Sequence, residues 1–182
     1  MLIRHQDIVI RNAEAADCEQ LAKWWNDGRV MAHAGFPLGL GTTAEKIAKE
    51  IATDSDDTVR RLVIEYKGRL IGETNYRNKG SGTAEIGIKI CEPAYQEKGL
   101  GRVILSLLIW ELFDRGCAKI LLDTNLRNTR AQHVYEMLGF RKLRINKDSW
   151  RDQLGAWQSS VDYELVPEDF RNFADAAGKE II

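Results

Sequence analysis

Ile90-Cys91-Glu92-Pro93-Ala94-Tyr95-Gln96-Glu97-Lys98-Gly99-Leu100-Gly101-Arg102 joins a β-rich run to a long apolar helix. A glycine-rich turn that opens a helix presents unpaired backbone N–H groups at the positive end of the helix dipole, where a phosphate or pyrophosphate is held. The turn lacks the Gly-Lys-Ser or Gly-Lys-Thr ending of a Walker loop. Position 104 is Ile104, where a dinucleotide fingerprint has its third glycine. Asp123 stands roughly where that fingerprint places its ribose-binding acid, but the antiparallel runs before the turn do not suit a β-α-β unit.

Those runs are Val59–Tyr66, Arg69–Arg77 and Thr83–Ile90, the first two joined by Lys67-Gly68 and the last two by the loop Asn78–Gly82. Short turns between β-rich runs predict an antiparallel meander. In the third run Ile86, Ile88 and Ile90 share one face, and Glu85, Gly87 and Lys89 the other. Upstream, a strand at Ile8–Asn12 is followed by Asp17, a plausible N-cap for a helix through Leu21, Trp24 and Trp25. Gly35–Gly41 reads as a mobile loop, and Thr42 or Thr43 can cap a second helix through Ile47 and Ile51.

Downstream of the turn, Leu100, Val103, Ile104, Leu107, Leu108, Trp110 and Leu112 cover much of a helix, leaving Arg102, Ser106 and Asp114 toward water. Lys119–Asp123 reads as a strand of parallel character and Asn128–Leu138 as a helix ended by Gly139. Arg141–Ile145 and Ser160–Leu165 read as closing strands. The order β-α-α-β-β-β-α-β-α-β-β predicts an α+β fold, a mixed, mostly antiparallel sheet with helices on both faces. One domain is expected over residues 1–168, with a poorly packed tail at 169–182.

Composition narrows the function classes. Lys and Arg total 26 against 27 Asp and Glu, a net charge of -1, which gives no reason to expect nucleic acid or a membrane as partner. Cys18, Cys91 and Cys117 lack the spacing of a zinc site or disulfide framework, as suits reduced, largely buried thiols in the cytoplasm. No run of about 18 apolar residues is present. No metal constellation is expected. His33 reads as a solvated loop histidine and His133 as facing away from the helix surface that carries Tyr135.

Gln96-x-x-Gly99-x-Gly101 after a Glu-containing strand, with Asn128-x-x-Ala131-x-x-x-Tyr135-x-x-x-Gly139-Phe140 downstream, resembles the GNAT family of acetyl-coenzyme A-dependent N-acetyltransferases over residues 8–166. The resemblance implies transfer of acetyl from acetyl-CoA to a primary amine in a ternary complex. Gln96, Glu97, Lys98, Gly99, Leu100, Gly101 and Arg102 would hold the coenzyme pyrophosphate, and the backbone at Ile88, Lys89 and Ile90 would pair with the pantetheine arm. Gly87, a glycine within a strand, marks a bulge or a close backbone approach. Asn128 would contact the coenzyme or only cap its helix. Tyr135 would donate to the departing thiolate, in keeping with a phenol pKa of about 10, or be core. A base is needed because an ammonium must lose a proton before it attacks. Glu85 and Glu73 are the candidates, with ion pairing as the alternative role.

The acceptor is left open between a peptide N-terminus and a small-molecule amine. The stretches Trp24–Val30 and Trp150–Leu165 are similar to the branch that includes ribosomal-protein N-terminal, aminoglycoside and polyamine acetyltransferases. Trp25, Phe36 and Tyr76 are candidate acceptor contacts, and a homodimer is common in relatives. The competing reading is a non-catalytic acyl-CoA-binding sensor.

Overall fold

A computed structural model describes residues 1–174. Its eight strands are β1 (Leu2–His5), β2 (Ile8–Asn12), β3 (Val59–Tyr66), β4 (Arg69–Gly80), β5 (Thr83–Ile90), β6 (Lys119–Asn125), β7 (Arg141–Arg151) and β8 (Trp157–Leu165). They form one sheet in the order β1-β2-β3-β4-β5-β6-β8-β7. Every neighbouring pair is antiparallel except β5 and β6. The expected mixed, mostly antiparallel sheet is therefore the one observed. β1 was not anticipated: four residues interrupted by Arg4 carry too little periodicity to read as a strand.

Alternation along the strands divides two cores between the faces. The helix α4 (Leu100–Asp114) lies on the face of Ile10, Leu62, Ile64 and Ile86, while α1 (Cys18–Trp25) and α3 (Ala44–Ile51) cover Val63 and Cys91 on the other. The short α2 (Gly28–Met31) is capped by Asp27, whose side chain accepts from the Arg29 amide, and α5 (Thr129–Met137) follows β6. Thr43 caps α3 by accepting from the Lys46 amide. Asp17 does not cap α1 with its side chain. It accepts instead from the Glu14 amide and pairs with Arg11 at 2.7 Å. Among the described residues no helix is long and apolar enough to cross a membrane.

Two loops expected to be independent are tied together. β7 and β8 run longer than predicted and form a hairpin around Asp152–Ala156. At its tip Gln153 accepts from the Leu38 amide and donates to the Gly39 carbonyl, and its own amide donates to the Gly35 carbonyl. Gly35, at φ +94°, lies so close to the Trp150 ring that a Cβ there would fall 2.4 Å from it. The stretch read as a mobile loop is thereby strapped to the hairpin.

Packing also extends beyond residue 168. The Arg171 amide donates to the Leu138 carbonyl, the Phe173 amide donates to Ser106 Oγ, and Ala174 is buried. This cover explains why Ser106 is fully buried although the helical pattern points it toward water; Trp110, expected to be packed, is half exposed. Gly139, at φ +99°, ends α5 with the Asp169 carbonyl 1.9 Å from where a Cβ would sit. Alanine there meets both a left-handed backbone and a backbone clash, so Gly139→Ala is expected to cost more than about 1 kcal/mol of stability. Thermal unfolding of the variant beside the parent checks this.

Candidate active site

The parallel pairing of β5 and β6 covers only Thr83–Glu85 against Lys119–Leu121. Beyond those residues the strands diverge, and a cleft of about 1080 Å³ opens between them. Its walls include Ile88, Lys89 and Ile90 from β5, the turn before α4, Asp123–Asn125 from β6, and Asn128 and Tyr135 from α5 and its cap. Gly87 also lines it. The space a Cβ would occupy at Gly87 is bounded by the Asn75 amide 3.2 Å away, and the Gly87 carbonyl accepts from Thr74 Oγ1.

At one end the glycine-rich turn is held from three sides. Between β3 and β4 the register slips at Ile71, and the Ile71 carbonyl accepts from both the Cys91 and Glu92 amides. Trp24 Nε1 donates to Glu92 Oε1 at 2.8 Å, and Gln96 Nε2 donates to the Ile90 carbonyl at 2.8 Å. The chain then reverses through Glu97 and Gly99, both at positive φ, into α4. No side chain caps that helix and its first turn carries no acid, so its leading N–H groups are left for an anion. Gln96, Glu97, Gly99, Gly101 and Arg102 line the cleft, whereas Lys98 is exposed outside the lining and Leu100 is buried in the core. Arg130 of α5 pairs with Glu97 across the opening. These residues fit a pyrophosphate. Asn128 caps α5 by accepting from the Ala131 amide, which leaves its Nδ2 as a donor.

Two acids, Glu85 and Asp123, line the cleft, and a third, Asp162, lies beside Asp123 on the neighbouring strand. Glu85 of β5 pairs in register with Leu121, two residues before Asp123 on β6, and Asp123 lies opposite Asp162 of β8. Glu85 has Arg77 and Lys79 as partners, and Asp162 has Arg144 and Asn146. Asp123 makes no ion pair among the described residues. Its surface is open to the cleft, but desolvation by the surrounding walls, followed by the charges of Glu85 and Asp162 and opposed by Arg77, raises its pKa above the usual aspartate value. Tyr135 is 7% exposed and packs edge-on against Phe140 and Tyr163. Burial, with the charge of Asp123 next, pushes its phenol up to about 12.

The predicted residues are thus partly assembled. Glu85, Ile88, Lys89, Ile90, Asn128 and Tyr135 share the cleft with most of the turn. Glu73 does not line it: 7% exposed, it accepts from Trp25 Nε1 at 2.9 Å and from Lys89 Nζ at 3.1 Å, so both of its oxygens are occupied. Trp25 is the other half of that tie, Phe36 sits on the outer loop, and Tyr76 is buried in the α4-side core. His33 and His133, set aside on sequence grounds, both line the cleft. Asp123, Thr124, Asn125 and Ser160 were missed as cleft residues. Only the register across β5, β6 and β8 brings Asp123 beside Glu85.

The model of the acetyltransferase (GNAT) domain matches residues 7–141. A ribosomal protein bS18-alanine N-acetyltransferase of Escherichia coli K12 is 42% identical over 57 residues, 31% of this chain and 38% of the relative. One from Haemophilus ducreyi is 31% identical over 70 residues, 38% of this chain and 48% of the relative. The chain therefore spans less than half the length of these curated relatives. Among solved structures, a spermidine N-acetyltransferase from Vibrio cholerae in complex with CoA and spermine superposes with a TM-score of 0.78 at 21% identity, over 91% of this chain and 98% of that one. A putative acetyltransferase from Salmonella typhimurium with acetyl-CoA gives 0.72 at 23% identity, over 88% and 94%. With three quarters of its length matched by the family model and this fold around the cleft, the chain belongs to the GNAT acetyltransferase family.

Proposed function

We propose that this protein transfers the acetyl group of acetyl-coenzyme A to the primary amine of a peptide N-terminus. The observation that carries the reading is one cleft with an uncapped helix N-terminus at one end and the Asp123–Tyr135 pair in its middle. Relatives named for a protein alanine N-terminus and for spermidine support an amine acceptor. One feature favours a peptide over a polyamine. Leu38 and Leu154, 69% and 65% exposed, stand beside Gln153 on the tied loops, where side chains following the amine can pack. A cytoplasmic location accompanies this reading, supported by three free thiols.

In the mechanism Asp123 takes a proton from the incoming ammonium. An acid that holds its proton more tightly than usual is the stronger base once ionised. The freed amine attacks the thioester carbonyl, and the C–S bond breaks as the C–N bond forms. Tyr135 O–H donates to the departing sulfur. With its pKa near 12 against about 8.5 for a thiol, the phenol acts as a hydrogen-bond donor to the thiolate; the second proton of the acylated nitrogen passes through water to the thiolate, and the proton on Asp123 returns to solvent. Glu85 keeps the proton affinity of Asp123 high.

Release of free coenzyme A thiol across peptides, aminoglycosides and polyamines tests the transfer. Peptide-dependent release is expected; coenzyme binding without release on any amine would favour a sensor. Tyr135→Phe is expected to lower kcat about 10²- to 10³-fold with coenzyme affinity kept. Leu38→Ser with Leu154→Ser should raise KM for a peptide and leave a small amine unaffected.

Asp123 gives a test that separates activity from stability. Its folded pKa is raised, so its contribution to stability is fully present below the unfolded pKa and is lost as pH rises through the folded one. At neutral pH the ionised group therefore destabilises the fold. Because Asp123 is exposed and solvent screens its charge, Asp123→Asn is expected to leave Tm at pH 7 equal to or slightly above the parent's, while lowering kcat/KM about 10²- to 10⁴-fold and removing the acid limb of its pH profile. A lowered Tm with activity kept would reassign Asp123 to structure.

A further inference from the structure

The last described residues reach back to the anion end of the cleft. Phe170 packs edge-on against Phe113 of α4, with ring centroids 5.8 Å apart, and the Arg171 amide donates to the Leu138 carbonyl. The Phe173 amide donates at 3.0 Å to Ser106 Oγ, a hydroxyl with 0% exposure, and Ala174 is buried against the same core. These contacts set the Phe173 ring over the first turn of α4, where the Arg102 guanidinium lies 5.3 Å from the ring centroid. On its other side, Arg102 Nε and Nη2 lie 3.7 and 3.8 Å from where a Cβ on Gly99 would stand.

Arg102 is therefore flanked by an aromatic ring and by the backbone of the turn that opens the helix. It lines the cleft, yet makes no ion pair and no side-chain hydrogen bond among the described residues. Arg130, which lines the same cleft, is engaged with Glu97. A guanidinium carries five donors in a rigid fork suited to phosphate oxygens, and an aromatic ring holds its orientation without using any of them.

We propose that residues 170–174 brace the coenzyme site, with Phe173 as the positioning residue that holds Arg102 toward the phosphates of bound coenzyme A. The proposal rests on the acetyltransferase reading. It gives the C-terminal segment a role in donor binding, separate from the acceptor end of the cleft.

The test is a double-mutant cycle on the full chain, read as the Kd for coenzyme A by calorimetry, with Tm as a folding control. Phe173→Leu keeps an apolar side chain but removes the ring, and is expected to raise Kd about 3- to 30-fold with Tm close to the parent's. Arg102→Gln should raise it by at least as much. Adding Phe173→Leu to Arg102→Gln should then change Kd little, because the ring acts only through the guanidinium. Phe173→Trp, the stronger cation–π partner, should retain the parent's Kd. An unchanged Kd in Phe173→Leu, or a full additional loss in the Arg102→Gln background, would overturn the brace. A parent protein that binds no coenzyme A would sink the acetyltransferase reading itself, and the brace with it.

Discussion

Three residue pairs of parallel ladder, Thr83–Glu85 with Lys119–Leu121, are the constraint on which the site depends. If the pairing continued, Ile86–Ile90 and Leu122–Asn125 would satisfy one another and the sheet would be closed. Because it stops, the β6-facing edge of β5 has no strand partner over five residues, and an unpaired edge is a template for another extended chain. In most proteins such an edge is covered or blunted. Here it forms one wall of the open cleft beside the start of α4 and α5, where an extended molecule entering the cleft can use it.

Holding that divergence open takes anchors on both strands. On the β5 side, the Ile71 carbonyl, Trp24 and Gln96 each secure part of the chain between Ile90 and Gly99. On the β6 side, Asn128 closes the first turn of α5 and Gln132 Nε2 donates to the Leu126 carbonyl, fixing the strand-to-helix connection. The two sides meet through Arg130 and Glu97. The tie of Glu73 with Trp25 and Lys89 belongs to the same scaffold: a buried carboxylate with both oxygens occupied is costly to disturb.

How much of this was legible in the sequence follows from the range of the forces involved. The turn at Gln96–Arg102, the meander before it and the helices after it are set by local periodicity and glycine placement, and they were read correctly. Asp123 could not be placed as a cleft acid, because its neighbours Glu85 and Asp162 lie on other strands and only the register brings them abreast. Glu73 and Glu85 looked equivalent as alternating strand acids, and long-range partners separated them. Trp25 is an aromatic near a predicted loop, yet its indole is committed to Glu73. Ser106 misled because helical phase takes no account of a C-terminal segment that returns to cover it.

The groups left unsatisfied sort by chemistry along the cleft. At one end stand a helix N-terminus with no capping side chain and a guanidinium whose donors have no partner among the described residues, both suited to a polyanion. In the middle stands Asp123, crowded by the like charges of Glu85 and Asp162 and with no ion pair among the described residues, suited to an ammonium. A fold selected for stability alone would cap the helix, pair the arginine and neutralise the aspartate, since each correction is available to ordinary side chains and stabilises. All three omissions lie on one cleft, with the anion-seeking groups at one end and the cation-seeking group beside Tyr135. That arrangement suits a donor whose phosphates anchor at the turn and whose reactive carbon lies at the acid, where the amine arrives.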